Sequence, residues 1–118
     1  MKPIIFALAS SAAWSATPAF AEFSKVDSAD AFKNIVEGKT LTRPLVKLQV
    51  GTNGSISGTG AAWPVTGDWT WEGGYFCRSL EWGGDDLGYN CQEVQAHGDK
   101  IRFTSDQGSG DSLEFNLR

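Results

Sequence analysis

The sequence predicts a mainly β domain, a small antiparallel meander or barrel of about seven strands with one N-terminal helix. Two features predict this class. After Lys39, apolar and polar residues alternate over short runs, which is the period of a half-buried strand. Clusters of Gly, Asn and Asp, which favour tight turns, separate those runs. Before Lys39, one segment has the apolar spacing of a helix.

Residues 1–21 have the three parts of a cleavable export signal. A basic start is followed by an apolar run over residues 4–13, and Ala19-Phe20-Ala21 forms a small-residue cleavage site directly before the first acid, Glu22. The apolar run is shorter than the about 20 residues that a membrane-spanning helix needs. We therefore expect export to the periplasm and a mature chain that begins at Glu22.

The mature chain, residues 22–118, has 97 residues, which is the length of a single domain. Once Lys2 is removed with the leader, nine Lys and Arg residues stand against fourteen Asp and Glu residues, a formal net charge of −5. This acidic balance disfavours nucleic acid as a partner, because phosphate binding requires cationic side chains.

The single predicted helix follows Asp27 or Ser28, either of which is a good N-cap. Gly38 is placed to end it after about ten residues. The predicted apolar face consists of Ala29, Phe32, Ile35 and Val36.

The predicted strands follow the alternating runs and are joined by tight turns. The Asn53-Gly54 pair is a strong hairpin signal, and two further turns are predicted at Gly73-Gly74 and at Gly83-Gly84-Asp85-Asp86. In the third run, Trp69 and Trp71 share one face, which we expect to lie in the core, and the helix is expected to cap one end of the barrel. The predicted strands are residues 45–50, 55–62, 65–72, 75–82, 87–95, 100–105 and 112–117.

Cys77 and Cys91 are the two cysteines of the chain, and in an exported protein we expect them to form a disulfide. If they lie opposite each other in a hairpin, its midpoint falls at residue 84, inside a predicted turn. A bridge across a loop of this length stabilises a small domain by about 3 kcal/mol in the chain-entropy model.

The same register places Arg78 opposite Asn90, with Gln92 two residues further along the same face. If this face points inward, the three polar side chains form the floor of an apolar pocket for a small anionic or amphipathic ligand. The alternative is an exposed arginine, which is the commoner situation. The apolar residues of this face are Phe76, Leu80, Trp82 and Val94.

Two tryptophans are candidates for a contact surface. Trp63 lies beside Pro64 at a strand junction, and Trp82 lies beside the Gly83-Gly84 turn. We expect both to be partly exposed, so that they contact a ligand or a periplasmic protein.

The sequence offers little for catalysis. His97 is the one histidine, and it lies in a predicted turn, so neither a metal cluster nor a serine triad is supported. Asp85-Asp86 and residues 106–111 lack the spacing of a calcium loop. We expect no catalytic residue, metal or cofactor, although a pair of carboxylates that converge only in the fold remains open.

The segments at residues 69–78 (WTWEGGYFCR), 88–92 (GYNCQ) and 101–111 resemble small exported proteobacterial proteins of unknown function that share this two-cysteine pattern. The resemblance covers nearly all of the mature chain, but it implies no catalytic residues. Such proteins sometimes carry the label dihydrodipicolinate reductase. That activity needs a G-x-G-x-x-G turn that opens a helix, and Gly58-Thr59-Gly60 lies instead in a predicted strand.

Together these features predict a periplasmic, non-enzymatic binding or accessory module. A secreted protein inhibitor of a hydrolase would also be small, acidic and held by a disulfide. A small hydrolase is the third possibility, and it requires two acids that converge in a concave pocket.

Overall fold

The computed structural model describes residues 22–118, and the predicted leader lies outside the described residues. The helix α1 (Ala29–Val36) precedes most of the sheet, and a single 3₁₀ turn (Asp106–Gly108) lies between the last two strands. None of the helices in the described part of the chain is long and apolar enough to cross a membrane. The strands are β1 (Ser24–Lys25), β2 (Leu41–Arg43), β3 (Val46–Val50), β4 (Ser55–Gly60), β5 (Trp63–Glu72), β6 (Tyr75–Trp82), β7 (Asp85–His97), β8 (Lys100–Thr104) and β9 (Ser112–Leu117).

Strands β2 to β9 form a closed antiparallel barrel. Each pairs with the next along the chain, and the pairing of β2 with β9 closes the circle. The short strand β1 pairs with β7 beyond the end of β6 and is the ninth strand of the sheet. The predicted mainly β fold with one helix is confirmed. The barrel has eight strands where about seven were predicted, and the additional strand is β2.

In an antiparallel barrel, alternate connections lie at the same end. We call the end that carries α1 and the β3–β4, β5–β6 and β7–β8 turns the closed end. The opposite end, which carries the β2–β3, β4–β5, β6–β7 and β8–β9 connections, is the open end. Residues 36–40 and residues 49–52 line one depression, which places the carboxyl end of α1 beside the β3–β4 turn.

The helix begins and ends close to the predicted positions. Ser28 is the N-cap, and its hydroxyl accepts a hydrogen bond from the Ala31 backbone N–H at 3.1 Å. The helix ends at Val36, two residues before Gly38, whose φ of +72° suits glycine. Phe32 and Val36 are buried, so the apolar face of α1 points into the barrel.

An aromatic cluster around Phe32 fills the closed end. The Phe32 ring lies edge-on to Trp69 and stacked on Trp71, with ring centroids 5.1 Å and 5.4 Å away. Its centroid is also 5.0 Å from that of Phe76 and 6.3 Å from that of Phe103. Aromatic pairs in these arrangements contribute about 0.5 to 1.5 kcal/mol each beyond the burial of their area. Trp69 and Trp71 therefore belong to the core, Trp69 buried and Trp71 partly buried.

Two glycines allow the barrel wall to curve tightly. A Cβ at Gly58 would collide with the backbone oxygen of Lys47, and one at Gly67 would collide with that of Ser79. Glycine inside a strand commonly marks a bend or a close backbone approach. A larger residue at either position would therefore displace the neighbouring strand.

The disulfide hairpin of β6 and β7 has the predicted register. Cys77 and Cys91 form a disulfide between directly paired residues. The connecting turn, Gly83-Gly84, has φ of +57° and +92°, as in a type I′ turn. A bulge at Leu87 adds one residue to β7, which brings the cysteines into register with this two-residue turn.

Several predicted strand ends at the open end differ from the structure. Strands β5 and β7 each begin two residues earlier than predicted, at Trp63 and Asp85, and β8 ends one residue earlier, at Thr104. The predicted strand 45–50 begins at Val46, because Leu45 has a φ of +66° and lies in the turn after Pro44. The predicted strand 55–62 ends at Gly60, because Ala61 and Ala62 form a two-residue turn with φ of +47° and +75°. Positive φ is unusual for alanine and leucine, so the residue types gave no turn signal.

Candidate functional site

An apolar cavity of about 130 Å³ lies inside the barrel. Phe76 and Phe103, which belong to the aromatic cluster of the closed end, form one of its walls. On the other side it opens toward the open end, where the lining residue Leu113 is 49% exposed. Its other apolar walls include Leu41, Leu48, Val50, Ile56, Leu80 and Phe115.

Arg78 is the charged residue that lines this cavity. It lies on the same face of β6 as Phe76 and Leu80, and its Nη1 donates a hydrogen bond to the Gly88 carbonyl at 2.9 Å. Burial lowers the pKa of the guanidinium below its ordinary value, because desolvation disfavours the charged form. Arginine nevertheless stays protonated at neutral pH.

The charge of Arg78 has no acidic partner within residues 22–118. The ion pair found there joins Arg102 to Glu114 at 2.9 Å on the outside of the barrel. Arginine is rarely fully buried without a partner, because removing its charge from water is costly unless an opposite charge or hydrogen bonds compensate. Arg78 therefore brings an unmatched positive charge to a cavity whose other lining residues are mostly apolar.

Gln92 and Ser105 add two neutral polar groups to the same cavity. Gln92 is 8% exposed, and its Nε2 donates a hydrogen bond to Ser105 Oγ at 3.2 Å. In the β6–β7 ladder Gln92 pairs with Phe76, so Gln92 is a diagonal neighbour of Arg78 on the same face. The polar part of the wall is thus confined to one sector of the barrel.

Asn90 does not line the cavity, in contrast to the prediction. Its Nδ2 donates to Asp106 Oδ1 at 2.8 Å, and its Oδ1 accepts from the Asp106 backbone N–H at 3.0 Å. Both hydrogen bonds attach the β8–β9 connection to β7. Asn90 therefore positions the loop that begins at Ser105, because its amide nitrogen and its amide oxygen both bond to Asp106.

The two candidate tryptophans lie at the open end and outside the cavity. Trp63 is 59% exposed, and Trp82 is 38% exposed with its indole N–H donating to the Gly60 carbonyl at 2.8 Å. They line a shallow surface depression with Gly83 and Asp85. Trp82 was predicted to share the face of Phe76 and Leu80 and to be partly exposed. At the end of β6 its indole reaches across β5 to Gly60, and it does not line the cavity.

Several exposed apolar side chains lie at the open end, among them Leu87, which is 51% exposed near the start of β7. Leu45 is 80% exposed and lies in the β2–β3 turn, and Leu113 lies at the start of β9. With Trp63 and Trp82 they come from four different connections or strand ends. We call Leu45, Trp63, Trp82 and Leu113 the apolar rim.

The open-end turns have unusual backbone conformations. Within residues 22–118, every non-glycine residue with positive φ lies in them: Leu45, Ala61, Ala62, Asp106 and Gln107. Hydrogen bonds between turns hold this arrangement, since the Ala61 N–H donates to the Leu45 carbonyl and the Gly83 N–H to the Pro64 carbonyl, both at 2.8 Å. Strained backbone of this kind persists only where the surrounding structure enforces it, and it is concentrated at functional sites.

The other chemistry-bearing residues lie away from the cavity. His97 is exposed at the closed end, 6.1 Å from the Phe23 ring. Three carboxylates, Asp68, Glu81 and Asp86, line a shallow depression with the outer face of β5 and β6. Within the described residues no group of three or more His, Cys, Asp or Glu side chains is arranged to hold a metal ion.

Some cavity residues were not identified from the sequence as site residues. Leu48 and Leu113 belong to alternating runs, which indicate an inward face but not a cavity. Ser105 ends a predicted strand, and nothing in its sequence neighbourhood marks it as a partner of Gln92. Pairings between distant strands decide these contacts.

Comparisons with protein-family models, with curated proteins and with solved structures give no significant match for this chain. The interpretation of the cavity therefore rests on its own geometry and chemistry.

Proposed function

We propose that the protein is a periplasmic, non-enzymatic binding module that takes the apolar part of a small ligand into the barrel through the open end. The observation that carries this proposal is the open apolar cavity with a polar sector on one wall. Its volume of about 130 Å³ is close to that of an apolar cavity of about 150 Å³ that binds benzene. One six-membered ring or a short branched chain fits such a space.

The shape of the cavity supports a binding role. Protein cores are close-packed and leave few voids larger than a water molecule. The apolar walls of this open cavity therefore lack packing partners on one side, and the apolar part of a ligand would supply them.

Export is the second part of the proposal. The disulfide suits an oxidising compartment, and residues 1–21 have the pattern of a leader. The mass of the intact protein recovered from the periplasm is expected to match a chain that begins at Glu22. Recovery of the full-length chain from the cytoplasm, with residues 1–21 retained, would contradict export.

Titration with toluene tests the cavity, because a neutral apolar probe needs no charged partner. In NMR spectra of the methyl groups, Leu48 and Leu113 are expected to shift in a saturable way. Leu48→Trp fills the cavity and should abolish the shift at Leu113. Lys47→Trp, which adds the same ring on the adjacent outward-facing position, should leave it unchanged. A wild-type protein that shows no saturable shift would contradict the binding module.

A second candidate is a protein inhibitor of a hydrolase, which the apolar rim favours. Exposed aromatic residues on a rigid scaffold are frequent hot spots of protein interfaces. An inhibitor would form a one-to-one complex with a secreted glycosidase or protease and abolish its activity. Trp63→Ser should then weaken the complex at least tenfold, whereas Leu48→Trp should not affect it.

A further inference from the structure

We propose that the ligand of the barrel is a small aryl or branched-chain monocarboxylate, with its carboxylate bound by Arg78 and its apolar group in the cavity. This inference rests on the proposed binding function and adds the chemical class of the ligand.

The first argument is the charge of the cavity. Arg78 is half-buried among apolar side chains, and no carboxylate within residues 22–118 forms an ion pair with it. The chain has fourteen acidic residues, yet none of the described acids lies within ion-pair distance of this guanidinium. Desolvating a charge is costly unless an opposite charge compensates it. An anionic ligand group supplies the compensation that the protein does not.

The second argument is the set of hydrogen-bond donors that Arg78 keeps. Its guanidinium has five N–H donors, and within the described residues its hydrogen bond is the one from Nη1 to the Gly88 carbonyl. Nε and Nη2 have no acceptor there, and neither atom is fully buried. These two nitrogens present parallel N–H groups, which match the two oxygens of a carboxylate. The hydrogen bond to Gly88 fixes the orientation of the guanidinium and thus of these two N–H groups.

The third argument distinguishes a carboxylate from a phosphate group. A phosphate monoester carries about −1.5 to −2 charges at neutral pH and is usually bound by several cations or backbone N–H groups. The cavity offers one cation, with Gln92 and Ser105 as its other polar side chains. A single negative charge matches this set. The fourteen acids of the chain also disfavour a multiply charged anion.

The fourth argument is size. A cavity of about 130 Å³ accommodates about one aromatic ring or a branched chain of four to five carbons. A long fatty acyl chain would extend beyond Leu113 and across the apolar rim. Phenylacetate has one ring and one carboxylate, and phenylacetamide has the same shape without the charge. This pair therefore isolates the contribution of Arg78.

Isothermal titration calorimetry of the mature protein with phenylacetate, phenylacetamide and toluene tests the inference. The wild-type protein is expected to bind phenylacetate at least about tenfold more tightly than phenylacetamide, as charge-assisted hydrogen bonds imply. Arg78→Met should remove this preference while the toluene affinity changes by less than about threefold. Arg102→Met makes the same change in net charge outside the cavity and should keep the preference.

Arg78→Lys keeps the charge but loses the paired N–H groups, and it covers the case in which the methionine variant does not fold. We expect it to retain the fold and to reduce the preference for phenylacetate. If toluene binds but phenylacetate is not preferred, or if the preference survives in a folded Arg78 variant, the inference is overturned and the binding module stands. If toluene and phenylacetate both fail to bind the wild-type protein, the binding module itself is contradicted.

Discussion

The two ends of the barrel differ in how they combine residue type with backbone conformation. At the closed end, positive φ falls on glycine, as in the Gly73-Gly74 turn, and the helix places Phe32 among four aromatic rings. At the open end, positive φ falls also on Leu45, Ala61 and Ala62, and large apolar side chains are exposed. One end follows the local rules of stable folding, and the other departs from them.

The difference indicates that the closed end mainly stabilises the fold and that the open end is adapted to binding. Natural sequences violate local preferences mainly at functional sites and compensate elsewhere. Here the aromatic cluster and the disulfide provide the compensation, and the cavity and the strained turns lie toward the opposite end. Substitutions at the two ends are therefore expected to have different effects on the free energy of unfolding.

The largest effect is expected at Phe32, which is fully buried in the closed end. Phe32→Ala removes its ring from the aromatic cluster and should lower the free energy of unfolding by about 3 to 5 kcal/mol. Urea denaturation followed by tryptophan fluorescence measures this. Leu45→Ala, which also removes a large apolar side chain but at an 80% exposed position, should change stability by less than about 0.5 kcal/mol. Similar losses at both positions would refute the division between the ends.

The second effect concerns the disulfide, which joins β6 and β7. Replacing Cys77 and Cys91 together by alanine should cost about 2 to 4 kcal/mol without changing the fold, because the unfolded chain gains conformational entropy. Thermal and urea denaturation measure the loss, and chemical reduction of the wild-type protein should reproduce it. Free thiols in a non-reduced peptide map of the periplasmic protein would show that the bond does not form.

The third effect has the opposite sign and lies in the β4–β5 turn. Replacing Ala61 by asparagine and Ala62 by glycine supplies the residues that a type I′ turn prefers, and it should raise the free energy of unfolding by about 1 kcal/mol. Gly73→Ala is the matched control, because it places alanine at a φ of +59° with no atom within 4 Å of the new Cβ. It should lower stability by about the same amount. A loss in the Ala61 and Ala62 variant would show that this turn is not strained.

The smallest effect on stability is expected at the rim. Trp63→Ser removes a ring that is 59% exposed and should change the free energy of unfolding by less than about 0.5 kcal/mol. Differential scanning calorimetry measures this change. A larger loss would mean that Trp63 is part of the core, and the apolar rim would then lose its most exposed aromatic residue.

Local patterns were sufficient for much of the fold. The period-two runs predicted strands 75–82 and 112–117 with their observed ends. The spacing of Cys77 and Cys91 around residue 84 predicted the pairing of Arg78 with Asn90, which the β6–β7 ladder confirms. Both predictions depend on neighbours along the chain or within one hairpin. Such local contacts are the ones that residue order specifies.

Short or atypical segments were not predicted correctly from the sequence. Strand β2 has three residues, too few to display an alternating period, and one of its two partners, β9, comes from the far end of the chain. The Ala61-Ala62 turn contains no Gly, Pro, Asn, Asp or Ser, and the hydrogen bond that holds it is accepted by Leu45 in the β2–β3 turn. The predicted strand therefore ran on through Ala62.

The sequence by itself determined the mainly β class, the position of the single helix, the disulfide and the shared face of Arg78 and Gln92, because each follows from local periodicity or from one hairpin. The tertiary structure decided which of these polar groups reach the cavity. Asn90 turns to Asp106, while Gln92 meets Ser105. Contacts between strands far apart in the chain close the barrel, set the space between its walls and decide the partner of each inward side chain. No short sequence pattern encodes those contacts.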